Sequence, residues 1–451
     1  MSIVTPSKTF TPGLEFKNRQ YFDPEKKFHD EVATALGIVR DRLPILGELR
    51  ALLKLTFGDA TYSIPPIFVD ARSHQTQLLD SVGADVKVDV EVTIKPAYIV
   101  RFHEGTLDPR MGLFMDARVY EPSVPKGDVP KLIRFADLLN KSPPSLLGKA
   151  QDLDPSALPQ PTEDIEQIKK DLIEYGYGLV KNALLPKEVE IIKNAVLQQA
   201  AGERQAGVAT FDGGSKGPNQ RVWCVVSTIE VCRSFAEINC IVFVGISSTK
   251  ETSSYAIVPW FLGDHAHIST LSANIARPGN VPMQLHTDQS SKTPPQRDLA
   301  LGLNISFYLV NTTDINGATR VYPGSHKGNV APSDIWTVEG SIPAEGPAGT
   351  AVVFDNRLWH TTGPNRASEG EVERPVILLH FVRSFVRAGE NHYLSLRKDV
   401  EAKLPDRQKA FFGFRKIPGM GSVEGNTTPG NVTRTDDAIG PLRTSGQETE
   451  T

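Results

Sequence analysis

Beyond residue 220 the chain breaks into short apolar runs separated by turns: Ile268 to Ala276, Ala300 to Val310, Ala351 to Phe354 and Val376 to Phe385. Glycine and proline punctuate the intervals. Runs of this length and regularity read as strands, and several of them in sequence fold as a sandwich or barrel. Two helices precede them. Glu163, Asp164 and Glu166 place acid at the start of the first, which suits the helix dipole, and Ile165, Ile168, Leu172 and Tyr175 form its apolar face. Pro186 to Gln199 reads as the second.

The β-rich half also carries the residues with chemistry. Gln284-Leu285-His286-Thr287-Asp288-Gln289 places a histidine and an aspartate two residues apart. On a strand that spacing turns both side chains to one face. Trp359-His360-Thr361 follows the run Ala351-Val352-Val353-Phe354 and offers a second imidazole. Two histidines and one carboxylate on one face of an octahedron are the pattern of non-haem iron(II) oxygenases, with the opposite face open. Zinc hydrolases use the same ligand types, so the ligand set alone leaves both open. A lone His-x-Asp also arises by chance as a strand-end histidine and a solvated aspartate.

The first part of the chain differs in composition. His29 to Leu53 has apolar residues at helical spacing (Val32, Leu36, Val39, Leu43, Leu46, Leu49) and predicts a long helix, with Pro44 a point of interruption. Leu55 to Phe57, Thr61 to Val69, Val86 to Ile94 and Leu113 to Tyr120 read as strands, Pro96 as a helix start, and Pro130 to Leu139 as a closing amphipathic helix. Four prolines between Lys141 and Gln160 mark a connector. The expected organisation is an α+β domain over 25–140, a linker over 141–160, a β-rich domain over 161–425 and a disordered tail over 426–451.

Charge and cysteine content exclude several classes. A net charge of −4 with no basic stripe gives no nucleic-acid footprint. The three cysteines, Cys224, Cys232 and Cys240, lack the spacing of a zinc or disulfide framework, which favours a reducing compartment. No apolar run reaches the ~20 residues of a membrane span, Met1 to Phe16 has no signal core, and Glu448 to Thr451 is no peroxisomal address. The expected location is the cytoplasm. Oligomeric state is not readable.

A second motif, Asn316-Gly317-Ala318-Thr319-Arg320-Val321-Tyr322-Pro323-Gly324-Ser325-His326-Lys327, joins the first. Together with Asn219-Gln220-Arg221-Val222-Trp223, Ser272-Ala273-Asn274-Ile275 and Phe412-Gly413-Phe414-Arg415, they resemble the phytanoyl-CoA dioxygenase family over about residues 160–425. The resemblance implies a double-stranded β-helix (jelly roll) with flanking helices. It implies iron(II) held by His286, Asp288 and His360, and 2-oxoglutarate as co-substrate. Its clamp arginine corresponds to Arg374, which opens an apolar strand, in preference to Arg366 in the turn Gly363-Pro364-Asn365-Arg366. A guanidinium fork meets a carboxylate bidentately. Gln284 and Thr319 correspond to positions that approach the co-substrate, and alternation along its strand would point Asn304 into the barrel. The implied activity uses O2 to hydroxylate, desaturate or cyclise an aliphatic C–H bond of a small organic molecule, a fatty acyl compound or a specialised metabolite. His326, His265, His267, His380 and His392 are expected to be structural. The Ser- and Thr-rich stretch Gly245 to Val258 reads as an insertion.

Val90 to Leu139 resembles sterol-carrier-protein-type lipid-binding domains through Val92-Thr93-Ile94, Gly105-Thr106-Leu107-Asp108-Pro109, Leu113-Phe114-Met115 and the closing helix. Asp116-Ala117 departs from that pattern. The resemblance implies a five-stranded sheet with helices over one face and an apolar tunnel. The rival to an oxygenase is a lipid carrier whose second domain is inactive.

Overall fold

A computed structural model describes residues 23–420 apart from 59–60, 115–124, 213–218, 224, 226–256, 293, 369–372, 415–416 and 418–419. The three cysteines, the expected tail and most of the stretch 245–258 lie outside the described residues. The chain divides into two compact units, Met1–Pro143 and Pro144–Thr451. Among the described residues no helix is long and apolar enough to cross a membrane.

The N-terminal unit orders as α1 (Pro24–Leu46), β1 (Leu52–Phe57), β2 (Ile67–Asp70), β3 (Gln77–Leu79), β4 (Val90–Ile94), α2 (Pro96–Glu104), α3 (Pro109–Phe114), β5 (Lys126–Gly127) and α4 (Val129–Leu139). Asp23 caps α1 by accepting from the amides of Glu25 and Lys26. The helix contains Pro44 and ends at Leu46, short of the expected Leu53. A 3₁₀ turn and Arg50 at φ 50° redirect the chain into β1. The expected strand over 61–69 shrinks to β2, because Pro65 and Pro66 offer no amide to a ladder. The strand expected from Val86 begins only at Val90, since Val86 closes a turn onto Gly83. Leu113 and Phe114 end helix α3 instead of opening a strand, and 115–120 fall outside the described residues. The five strands form one sheet ordered β3-β2-β1-β4-β5, with β1 parallel to β4 and antiparallel to β2. Helix α1 packs against α2 and α4.

In the second unit the stretch expected as a connector is partly structured. Here β6 (Ser145–Leu146) pairs with Val330–Ala331, and two 3₁₀ turns follow. Next come α5 (Ile165–Tyr175), β7 (Tyr177–Val180), α6 (Pro186–Gln205), β8 (Thr210–Asp212), β9 (Asn219–Val222) and α7 (Ile257–Leu262). The remaining strands are β10 (His267–Ala276), β11 (Gly302–Tyr308), β12 (Thr319–Val321), β13 (Val330–Ala331), β14 (Ile342–Pro343), β15 (Ala351–Asp355), β16 (His360–Thr362) and β17 (Arg374–Val382). A seven-stranded sheet runs β7-β15-β11-β17-β10-β9-β8, and a three-stranded sheet runs β14-β12-β16. An isolated bridge adds His286 to the edge of the small sheet beside β16. Between β10 and β17 the chain alternates between the two sheets, which is the winding of a double-stranded β-helix.

The period of two along the large sheet sorts its side chains. Leu303, Ile305, Phe307, Ile377, Leu379 and Phe381 pack with Ile168 and Leu172 of α5 and Ile192 and Val196 of α6. Their alternates face the small sheet. At one end these are apolar: Tyr308, Val352, Phe354 and Val376 pack with Val321, Ala344 and Leu358. Further along β11, β17 and β10 the interior turns polar, with Asn304, Ser306, His380 and Ser272. The helix side therefore stabilises the sheet by burial, at about 1.5–3 kcal/mol per large aliphatic side chain, and the interior is left for chemistry.

Candidate active site

His286 and His360 are 74 positions apart in sequence and adjacent in space. Each backbone amide donates to the other's carbonyl at 3.0 Å. That reciprocal pair sets the two rings side by side, with centroids 4.4 Å apart. The Nδ1 atoms point back at carbonyls of their own segments, His286 at Gln284 O (2.8 Å) and His360 at Leu358 O (2.9 Å). A carbonyl only accepts, so both Nδ1 atoms carry the proton and both Nε2 lone pairs are free. Asp288 sits opposite, its Oδ1 3.7 Å from His286 Nε2 and its Oδ2 3.8 Å from His360 Nε2. One donor atom from each of the three residues lies within 4.8 Å of the other two.

Surrounding groups hold these three in a binding-ready state. Asn304 Nδ2 donates to Asp288 Oδ2 at 3.0 Å, fixing the carboxylate plane. Burial opposes the charge on Asp288, but His360, His380, His286 and Asn304 outweigh it and hold the carboxyl at about 2. Burial likewise pushes the His360 imidazole down to about 4, so it stays neutral and can coordinate. Phe354 covers it at 4.6 Å. His380, expected to be a packed histidine, instead lines the same cavity with its Nε2 2.5 Å from Asn356 Nδ2. A Cβ on Gly302 would lie 2.2 Å from Asn356 Nδ2 and 2.8 Å from His380 Nε2, so that close approach requires glycine.

The two arginine candidates occupy opposite environments. Arg366 is exposed and paired with Asp314 at 2.7 Å. Arg374 opens β17 and faces the interior with 1% of its surface exposed. Among the described residues its Nε and Nη2 have no hydrogen-bond partner. Burial lowers its pKa to about 10, with Tyr308 nearby and no carboxylate among the acting neighbours. Thr319, on β12, lines the cavity of about 320 Å³ that contains the triad. Gln284 does not: its carbonyl serves His286 while Met283 contributes to the lining. His286 stands at a single bridge, not in a regular strand, so the two-residue rule fails there. Lys292, Trp223 and Ser272 also line the cavity; the sequence singled out Trp223 and Ser272 only as motif residues without a role, and Lys292 not at all. Their signal was weak: a turn lysine, a residue just past β9 and a serine inside the long strand β10.

The remaining histidines divide as follows. His326 is buried against Gly176, whose φ of +80° ends α5, and its Nε2 donates to Ile173 O (3.1 Å). His392 contacts Ile268 O (3.1 Å). His265 and His267 line a second cavity of about 900 Å³, between 264–267, 384–393, 410–413, 417 and 420, which holds none of the triad. Gly389 borders both cavities.

Residues 172–371 match the family model described as phytanoyl-CoA dioxygenase (PhyH). Dioxygenase af480 of Aspergillus fumigatus is 34% identical over 165 residues, covering 35% of this chain and 50% of that protein. Dioxygenase sphC of Aspergillus fumigatus is 26% identical over 282 residues, covering 57% and 70%. Dioxygenase aneA of Aspergillus aculeatus is 35% identical over 137 residues, covering 29% and 45%. The chain thus spans about half the length of two of these relatives. The region similar to the phytanoyl-CoA dioxygenase model, residues 172–371, is the one that carries the triad.

Proposed function

We propose that this chain is an iron(II)- and 2-oxoglutarate-dependent oxygenase acting on an aliphatic C–H bond of a small organic substrate. The observation that carries the reading is a buried, uncompensated guanidinium, Arg374, inside the same sandwich as three convergent metal donors. His286 and His360 through Nε2, and Asp288, would hold the metal, and Arg374 the distal carboxylate of the co-substrate. Iron(II) bound there with 2-oxoglutarate supplies the oxidant, converting the co-substrate and O2 to succinate and carbon dioxide.

The chain's own residues prepare that chemistry. The Nδ1–H donors lock both imidazoles in the coordinating tautomer. Asn304 orients Asp288 and keeps one carboxylate oxygen engaged. Phe354 and Leu378 keep part of the lining dry, which strengthens the attraction between Arg374 and an anion. Thr319 adds a hydroxyl to the same cavity. For the N-terminal unit we propose the lipid-binding role its resemblance implies, supported by a five-stranded sheet carrying packed helices. An acyl or lipid-like substrate follows from that pairing. The test is anaerobic addition of iron(II) and 2-oxoglutarate, which should give a weak visible charge-transfer band, followed by O2 and succinate release. His286→Ala should lose both. A wild-type chain with neither band nor succinate would sink the proposal.

A further inference from the structure

The cavity lining contains one charge that the proposed reaction leaves over. Its charged residues, among those described, are Asp288, Arg221 and Lys292. Arg221 is neutralised by Asp212, whose Oδ2 lies at 3.1 Å, and stacks over Trp223 at 5.6 Å. A divalent ion, Asp288, Arg374 and a dianionic co-substrate sum to zero. Lys292 remains. Among the described residues it has no carboxylate partner.

Lys292 is also placed with unusual care for a turn lysine. The turn from Asp288 is closed by Ser290 N donating to Thr287 O (3.1 Å) and Lys292 N donating to Gln289 O (3.0 Å). Gln289 is buried and staples the following loop: its Nε2 donates to Leu299 O (2.8 Å) and its Oε1 accepts from Leu301 N (2.8 Å). Ser291 and Pro294 on either side are exposed, yet the longer Lys292 is half-buried and turned to the cavity. Its charge acts on His380 inside. A lysine serving only solubility would extend to water, because that costs neither desolvation nor rotamer entropy.

We infer that Lys292 anchors a carboxylate of the organic substrate, so that the molecule oxidised at the triad is an acid held beside the metal by its charged end. This rests on the oxygenase reading. A cavity of about 320 Å³ is at the small end for ligand sites, so with the co-substrate in place only the headed end of a longer molecule enters. Trp223, half-exposed at the lining, supplies an apolar surface for the portion that follows.

The test uses the full chain, anaerobic, loaded with iron(II) and 2-oxoglutarate, titrated calorimetrically with decanoate and with decanamide. Decanoate should bind at least about ten-fold tighter, as a charge-assisted hydrogen bond allows. Lys292→Met should erase the difference and Lys292→Arg should keep it. The charge-transfer band should titrate with 2-oxoglutarate at the same midpoint in all three. If the wild-type band never forms, the oxygenase reading has failed and this inference with it. If the band forms but no carboxylate preference is seen, or the preference survives Lys292→Met, the inference alone falls. A ten-fold rise in the 2-oxoglutarate midpoint of Lys292→Met would assign the lysine to the co-substrate and overturn it equally.

Discussion

Arg110 in the N-terminal unit and Arg374 in the second unit are both largely shielded from solvent, with opposite surroundings. Arg110 in the N-terminal unit faces Asp137 at 2.9 Å and Asp108 at 3.6 Å. Arg374 in the second unit faces no acid among the described residues, where two of its nitrogens have no partner. A buried ion is expensive, and a partner supplied by the fold offsets that cost. Arg110 has its partners and is structural. Arg374 lacks them among the described residues, which is the arrangement the proposed co-substrate clamp calls for. The same residue type is paired by the fold in one unit and, in the proposed reading, left for a ligand in the other.

The comparison breaks most sharply on Arg374→Met. The KM for 2-oxoglutarate should rise by roughly thirty-fold to several thousand-fold, the range given by losing one member of a buried charge pair worth about 2–5 kcal/mol. Thermal stability of the metal-free protein should hold or rise, because an uncompensated cation leaves the interior. A falling melting temperature with an unchanged KM would make Arg374 the structural residue.

Arg110→Met should do the reverse. Asp137, 4% exposed, is left as an unpaired buried carboxylate, at a cost of about 3–5 kcal/mol. Urea unfolding of the full chain should show the loss in the N-terminal transition, with KM for 2-oxoglutarate unmoved. Removing both charges, Arg110→Met with Asp137→Leu, should recover most of the stability. A smaller effect is expected from Asn304→Ala, which frees Asp288 Oδ2. Metal affinity, read by manganese(II) titration, should fall about 10- to 100-fold without unfolding.

The large sheet was legible because its strands alternate cleanly: Leu303, Ile305 and Phe307 against Asn304 and Ser306 announce one buried apolar face and one face reserved for something polar. The triad was legible as residue types, and the return of His360 follows from a reciprocal backbone bridge that no local pattern encodes. Arg374 could be preferred over Arg366 by its place at the head of an apolar run, and the structure separates them by burial and pairing. The small sheet was not legible. Its strands are two or three residues long, too short to show a period. Gln284 went astray for the same reason, since the backbone there curls to meet the His286 ring. Lys292 and His380 were hidden by type: a turn lysine and a strand histidine are ordinary until the opposite sheet is in place.

The mildest test of the contrast uses pH. Burial holds His360 at about 4, below the ordinary 6.5, so in the metal-free fold it resists protonation while the unfolded chain does not. Its contribution to stability is complete above pH 6.5 and is lost as pH falls from 6.5 to 4, by an amount on the order of 3 kcal/mol. The melting temperature of the metal-free chain should therefore decline across that window, and His360→Gln should flatten the decline. Saturating manganese(II) should also shift the decline to lower pH, because a coordinated imidazole is held neutral by the metal. The Arg110 cluster contains no histidine but holds the buried Asp137, whose carboxyl burial already raises, so Arg110→Met should lower the profile most at high pH and least at low pH, opposite in sign to the His360 effect. A slope that follows Arg110 and ignores His360 would mean that acid sensitivity resides in the structural pair and not in the site.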